Sequence, residues 1–272
     1  MERVLNNHIS AEQLWSLIGS SRAPCIVDVR TAEDIAAIPF LIPGSVQMPF
    51  TETAGWAGRF AGKTVVVSCH KGLKLSEGVA AQLRFSGIRA SVLTGGAVAW
   101  REAGLPAIPL NVLPPRQSGV TRWVTRERPK IDRIACPWLI RRFVDRDAQF
   151  LFVEASQVNA VAERFDATPF DIDGVCWSHR GETCTFDTMI GEFRLSCAAL
   201  DTVANIVRGA DTARLDLAPQ AAGLLAISLG LSRLFDDDLE QLNAGMLVYD
   251  ALYAWARDGQ GETHNWPLQA TP

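Results

Sequence analysis

Val65-Val66-Val67-Ser68-Cys69-His70-Lys71-Gly72-Leu73-Lys74-Leu75-Ser76 is the stretch whose reading decides the fold. The β-branched run that opens it, from Thr64 to Ser68, reads as a buried strand. Leu75, Val79 and Leu83, with Ala80, then recur at helical spacing until Gly87 stops them. The short loop between strand and helix holds one cysteine at the strand's carboxyl end, where open α/β sheets place their ligands. Amides gathered at a helix N-terminus attract anions. The same field favours thiolate over thiol, and His70, Lys71 and Lys74 add to it. Gly72 permits the tight curvature. The expectation is a nucleophilic Cys69 facing an anionic substrate.

Working outward, strands and helices alternate. Ser10 and Gln13 have capping-box spacing ahead of Leu14, Trp15, Leu17 and Ile18. Cys25 to Val29 reads as a buried strand, with Cys25 in the core, and Thr31 can cap the next helix. Ala90 to Leu93 is a further strand, followed by Gly95-Gly96 and a helix ending at Gly104. Repeated strand–helix units predict an α/β domain built on a small parallel sheet.

The chain has 272 residues, 48% hydrophobic and 21% charged, with a formal net charge of −4. That composition suits two globular domains and excludes disorder and a generally basic nucleic-acid coat. No apolar run approaches the roughly 20 residues of a membrane span. The N-terminal sequence lacks an apolar signal core, and six cysteines without a Cys-x-x-Cys pair read as reduced thiols. The expected location is the cytoplasm.

Charge divides the chain. Residues 1–112 carry ten Lys/Arg against eight Asp/Glu, and residues 113–272 sixteen against twenty-two. The change falls at Pro114-Pro115-Arg116-Gln117-Ser118-Gly119, which predicts a domain over 1–113, a linker over 114–122 and a second domain over 123–272. The second domain opens on a basic segment, Arg122 to Arg146, then a helix around Trp138–Val144 and a strand at Gln149–Val153. Leu239, Leu242, Met246, Tyr249 and Tyr253 step along one helical face. The expectation is a helix-rich α+β domain.

CHKGLKLSEGVA resembles the active-site loop of rhodanese-type sulfurtransferases, with Cys69 at the persulfide position. Val27-Asp28-Val29-Arg30, Ile42-Pro43-Gly44-Ser45, and Leu93-Thr94-Gly95-Gly96 with Trp100 match further motifs in order, over about 110 residues. Leu41 departs from the histidine of many relatives. The resemblance implies attack by Cys69 on an anionic sulfane donor such as thiosulfate. The sulfur would pass on to a thiol or cyanide without a cofactor, and the loop from His70, Lys71, Gly72, Leu73 and Lys74 to Leu75 would hold the anion. A phosphatase of the same fold needs Arg where Leu75 stands, and Lys74 lacks the bidentate fork. The bland alternative is a buried, inert Cys69.

Lys130-Ile131-Asp132-Arg133-Ile134-Ala135-Cys136-Pro137-Trp138 resembles the opening of the bacterial chromate-resistance (ChrB-type) domain. Pro169-Phe170-Asp171-Ile172, His179 to Asp187, Ile206 to Asp211 and Tyr249 to Tyr253 continue the match. The family implies a role in chromate resistance or chromate-responsive regulation. Asp132 and Arg133, ahead of the expected helix, are open to a cap or a site role, with chromate one candidate anion. Arg141, Arg142 and Arg146 read as a solvated helix face. His179 and Cys184, with Glu182 and Asp187 nearby, are admissible zinc or iron ligands, but their spacing fits no standard signature. Cys136 or Cys176 would have to complete the set. Cys136 is also a weak redox candidate.

The leading expectation is a sulfurtransferase coupled to a chromate-resistance domain. Its rivals are a regulator that senses an oxyanion through a non-catalytic rhodanese fold and contacts DNA through the basic segment, and an interaction scaffold. Nucleic acid is disfavoured as a partner by the acidity of the second domain.

Overall fold

The computed structural model describes residues 7–117 and 119–262. Ser118, within the stretch read as a linker, and the first six residues lie outside them. The first domain runs β1 (His8–Ile9), α1 (Ala11–Trp15), β2 (Cys25–Asp28), α2 (Ala32–Ala37), β3 (Phe40–Leu41), β4 (Ser45–Gln47), α3 (Thr53–Trp56), β5 (Thr64–Ser68), α4 (Lys74–Phe85), β6 (Arg89–Leu93), α5 (Gly96–Glu102) and β7 (Ile108–Pro109). Five strands form a parallel sheet in the order β1-β6-β5-β2-β4, while β3 and β7 pair antiparallel. β5 is central, and Val65, Val66 and Val67 are all buried, as a parallel strand covered on both faces requires. The caps form as the sequence predicts. Ser10 Oγ accepts from Gln13 N at 3.2 Å, and Thr31 Oγ1 accepts from Asp34 N at 3.2 Å.

The second domain runs β8 (Arg116–Gln117), β9 (Val120–Arg126), α6 (Ile131–Leu139), β10 (Gln149–Val153), α7 (Val158–Arg164), β11 (Thr168–Pro169), α8 (Thr185–Glu192), α9 (Ala198–Asp211), α10 (Ala221–Leu234) and α11 (Asp238–Ala254). Its sheet has the parallel order β10-β9-β11, with β8 antiparallel on β9. The stretch read as a linker therefore carries β8 and the start of β9. The helix expected around Trp138 begins at Ile131, so Asp132 and Arg133 lie in its first turn. Pro137 sits inside α6 and masks it in the sequence, because proline removes one helical hydrogen bond and usually marks an end. On α11, Leu242, Met246, Tyr249 and Tyr253 are buried, but Leu239 is 47% exposed.

The two domains share one core. Leu14, Ile18 and Trp100 of the first cluster with Trp138, Phe143 and Tyr253 of the second. Trp15 meets the Trp100 ring edge-on at 6.2 Å and the Phe143 ring at 6.4 Å. Gly44 N donates to Phe143 O at 2.5 Å, and Arg257 Nη1 donates to Ser16 O at 3.0 Å. Arg141 and Arg142 are half-buried rather than the solvated face expected of them, while Arg146 is exposed but engaged. Arg141 lies 5.0 Å from the Phe150 ring centre, and Arg142 forks onto Asp250 at 2.7 Å through both Nε and Nη2. Arg146 crosses to the first domain, donating to Ala23 O at 2.7 Å and to Cys25 Sγ at 2.9 Å. Among the described residues no helix is long and apolar enough to cross a membrane.

Candidate functional site

Cys69 directly follows β5 at the carboxyl edge of the parallel sheet, 4% exposed, with Sγ 3.2 Å from Ser76 Oγ on α4. Two amides from the start of α5 hold the loop: Ala97 N donates to Cys69 O at 2.9 Å and Val98 N to His70 O at 3.0 Å. In a trans peptide the N–H points opposite the C=O, so the amides of His70 and Lys71 turn away from α5. Gly72 and Gly96 interlock, with φ of +65° and +58°. A Cβ at Gly72 would stand 2.8 Å from Gly95 N, and one at Gly96 would stand 2.6 Å from Gly72 N. Only glycine permits both the left-handed backbone and this approach.

Around the rim, Lys71 and Lys74 are exposed, Leu73 is 61% exposed, and Leu75 packs half-buried on the core beneath Cys69. His70 Nδ1 lies 3.8 Å from Asp34 Oδ1. The Asp28–Arg30 pair is structural. Arg30 Nε donates to both oxygens of Asp28 at 3.0 and 2.9 Å, and the guanidinium also holds Ile38 O and Phe40 O. It ties the end of β2 to the next loop, and the Arg30 side chain is buried.

A second polar centre lies in the second domain. His179 Nε2 is 3.4 Å from Asp132 Oδ2, 3.5 Å from Asp171 Oδ1 and 3.2 Å from Asp211 Oδ2. Asp132 comes from the first turn of α6, Asp211 from the last residue of α9, and Asp171 from the loop after β11. Asp171 takes φ +53°, a left-handed conformation that aspartate tolerates better than most residues. Its Oδ1 accepts from Thr185 Oγ1 at 2.8 Å, and its Oδ2 is 3.3 Å from both Arg126 Nη2 and Arg133 Nε. Thr185 N donates to Asp132 Oδ2 at 2.6 Å, while Asp132 Oδ1 is buried without a partner.

The electrostatics follow from that crowding. Hydrogen bonding to Asp132 and Asp171 raises His179 to about 10. Burial first, and then the neighbouring carboxylates, push Asp211 up to about 7. Burial likewise raises Asp132. Asp171 falls instead, because hydrogen bonds from His179 and Thr185 and the two guanidiniums outweigh its burial.

The structure thus brings Asp132, Arg133 and His179 together and adds Asp171 and Asp211, to which the sequence assigned no role. It does not gather the cysteines into a ligand set around His179. Cys136 is fully buried in α6, and burial drives its thiol well up. Cys184 caps α8 beside Asp132, and burial with that charge keeps it protonated. Cys176 is exposed, and its Sγ lies 3.7 Å from Arg180 Nη2. Glu182 pairs with Arg214 and Asp187 with Arg208, so neither joins the cluster. Carboxylates 39 to 79 residues apart in sequence leave no spacing signal to read.

The basic segment is largely consumed by the chain itself. Arg122 holds Phe165 O, Arg126 and Arg133 hold Asp171, Arg128 holds Phe235 O, Arg142 holds Asp250, and Arg146 holds Ala23 O.

A five-stranded parallel sheet, flanked by helices and ending in a glycine-bound cysteine loop, defines the first domain as a rhodanese fold. Residues 10–103 match the rhodanese-like domain family, and residues 123–256 match the family described as ChrB, C-terminal domain. The chain joins a rhodanese-like domain to a ChrB C-terminal domain. It is 32% identical over 140 residues to Protein ChrB of Cupriavidus metallidurans, an alignment covering 51% of this chain and 42% of that protein. The chain therefore matches less than half the length of this curated relative. A rhodanese-like domain protein from Staphylococcus aureus is 29% identical, covering 34% of this chain and 89% of its own, with a TM-score of 0.31. A rhodanese-related protein from Thermoplasma volcanium is 24% identical, covering 37% and 96%, with a TM-score of 0.33.

Proposed function

We propose that this protein is a sulfurtransferase that carries sulfane sulfur on Cys69 and serves bacterial chromate resistance through its second domain. The observation that carries the reading is the thiol at the carboxyl end of a central parallel strand. It lies beside Ser76 Oγ, in a loop whose carbonyls face α5 and whose first amides face away from it. Such a loop offers N–H groups to an anion, and its two rim lysines raise the local concentration of anionic donors.

In the first step the Cys69 thiolate attacks the outer sulfur of thiosulfate. The Sγ–S bond forms, the S–S bond of the donor breaks, and sulfite leaves with the electron pair. In the second step a thiolate or cyanide attacks the terminal sulfur of the persulfide, the Sγ–S bond breaks, and the Cys69 thiolate returns. The loop amides bear the negative charge throughout, so no metal or organic cofactor enters. Leu75 favours sulfur over phosphoryl chemistry, since it provides no fork for phosphate oxygens. Nucleic acid is no part of this reading, because the arginines of Arg122 to Arg146 already bind groups of the chain.

Intact-protein mass spectrometry after incubation with thiosulfate, on wild type and Cys69→Ser in parallel, tests the reading. The expected result is a gain of one sulfur atom by wild type, reversed by cyanide and absent from the variant. A folded, reduced wild type that gains no sulfur would overturn thiosulfate transfer.

A further inference from the structure

We propose that Asp132, His179 and Asp211, whose donor atoms all lie within 4.8 Å of one another, form a binding site for one first-row divalent cation of the Mn2+ or Zn2+ class. The inference is independent of the sulfur chemistry at Cys69. Three carboxylate oxygens surround a single imidazole nitrogen at 3.2, 3.4 and 3.5 Å. A protonated Nε2 has one N–H and can direct it at one of them, and Asp132 Oδ2 and Asp171 Oδ1 also accept from Thr185. An ion between Asp132, His179 and Asp211 would serve all three at once. With bonds of about 2.0–2.2 Å, neighbouring donors around one ion stand about 2.9–3.6 Å apart in octahedral or tetrahedral arrangement, which matches the 3.4 and 3.2 Å from His179 Nε2 to Asp132 and Asp211.

Two further observations point to a cation. Asp132 is 1% exposed, and its Oδ1 has no hydrogen-bond partner, a costly state for a carboxylate oxygen facing neither water nor a donor. Asp211 is the last residue of α9, where the helix dipole is negative and an unneutralised carboxylate is disfavoured. The surroundings also resemble those of a ligating set. Thr185 fixes Asp132 through its amide and Asp171 through its hydroxyl, and Arg126 and Arg133 hold the far oxygen of Asp171. Such outer partners orient ligands. His179 is 43% exposed, which gives an ion a route in from solvent.

The donor chemistry narrows the class. Two carboxylates and an imidazole suit Mn2+, Fe2+ or Zn2+, whereas Ca2+ takes oxygen alone and Mg2+ holds mainly oxygen and water. Binding replaces the proton on His179 Nε2, which goes to solvent. The two thiols near the cluster, Cys136 and Cys184, stay outside the ligand set as buried, protonated groups.

Isothermal titration of the metal-stripped full chain with MnCl2, and separately with ZnCl2, provides the test. Thermal melts run alongside. One ion per chain is expected, with a rise in melting temperature, and CaCl2 should produce neither. His179→Gln and Asp211→Asn lie on the accessible side of the cluster and should remain folded by circular dichroism. Each should weaken binding at least tenfold, while Cys176→Ser should bind as wild type does. Two results would overturn the proposal. One is that folded wild type binds neither Mn2+ nor Zn2+, which would make His179 the only cation the carboxylates need. The other is that binding survives both cluster variants or disappears in Cys176→Ser, which would place the ion elsewhere.

Discussion

Gly19 tests whether the two domains are one cooperative unit. It stands between α1 and β2 at φ +81°, and a Cβ there would lie 2.7 Å from Tyr253 Cε1 and 3.0 Å from Phe143 Cε1. Both rings belong to the second domain, Phe143 is fully buried and Tyr253 nearly so, and they stack edge-on at 5.6 Å. Gly19→Ala thus adds left-handed strain of about 1–2 kcal/mol and overpacking of about 1–3 kcal/mol, for a loss of about 2–5 kcal/mol. If all 272 residues unfold together, that loss lowers Tm by about 4–9 °C. The assay is urea unfolding with pulsed thiol labelling, read peptide by peptide at Cys69 in the first domain and at Cys136 and Cys184 in the second. All three midpoints should fall together. Gly230→Ala, inside α10 with nothing within 4 Å of its Cβ, is the control and should be neutral or stabilising by up to about 1 kcal/mol. A Gly19→Ala loss below about 1 kcal/mol, or midpoints that separate by domain, would refute the shared core.

Two further outcomes follow from single contacts. Ser76→Ala removes the hydroxyl 3.2 Å from Cys69 Sγ, and one hydrogen bond to an anionic sulfur is worth about 1.5 kcal/mol. Persulfide formation from thiosulfate should slow by about tenfold with the melting temperature little changed, measured by stopped-time mass spectrometry. Asp250→Ala strips both the Arg142 fork and the Trp138 Nε1 donor at 2.9 Å, and should destabilise by about 3 kcal/mol. Arg142→Ala should cost less, since Trp138 still serves Asp250, and the double variant should fall short of additivity by 1 kcal/mol or more, on the order expected for direct contacts.

How much of this was legible in the sequence depended on how local each feature is. The Thr64–Ser68 strand, its cysteine loop and α4 are consecutive, and β-branching followed by helical spacing reports them directly. The caps at Ser10 and Thr31 are three-residue signals and form as read. α6 was shortened because Pro137 resembles a boundary, although the missing amide of one residue does not break this helix. The arginines of α6 and its continuation were misjudged for a different reason. Amphipathic spacing reports that a face is polar but not that Asp250, Ala23 and the Phe150 ring come to meet it. The carboxylate–histidine cluster was the least legible, since Asp132, Asp171 and Asp211 meet only when α6, β11 and α9 pack.

The way the domains meet constrains any coupling between them. A sulfur carrier on a flexible tether could swing its persulfide to a second site, as the proline-rich stretch near residue 114 first suggests. In the folded chain that stretch is paired into the second sheet through β8, and Arg146 and Phe143 O bind the first domain directly. Trp15 packs between Trp100 and Phe143, whose ring lies 5.8 Å from Trp138 on α6. Cys69 is thereby held in a fixed relation to the Asp132–His179 centre, because moving it would open a core lined by fully buried aromatic rings. On the proposed reading, sulfur on Cys69 would then leave by an acceptor that comes to the loop, where Leu73 and Lys71 are exposed at the rim.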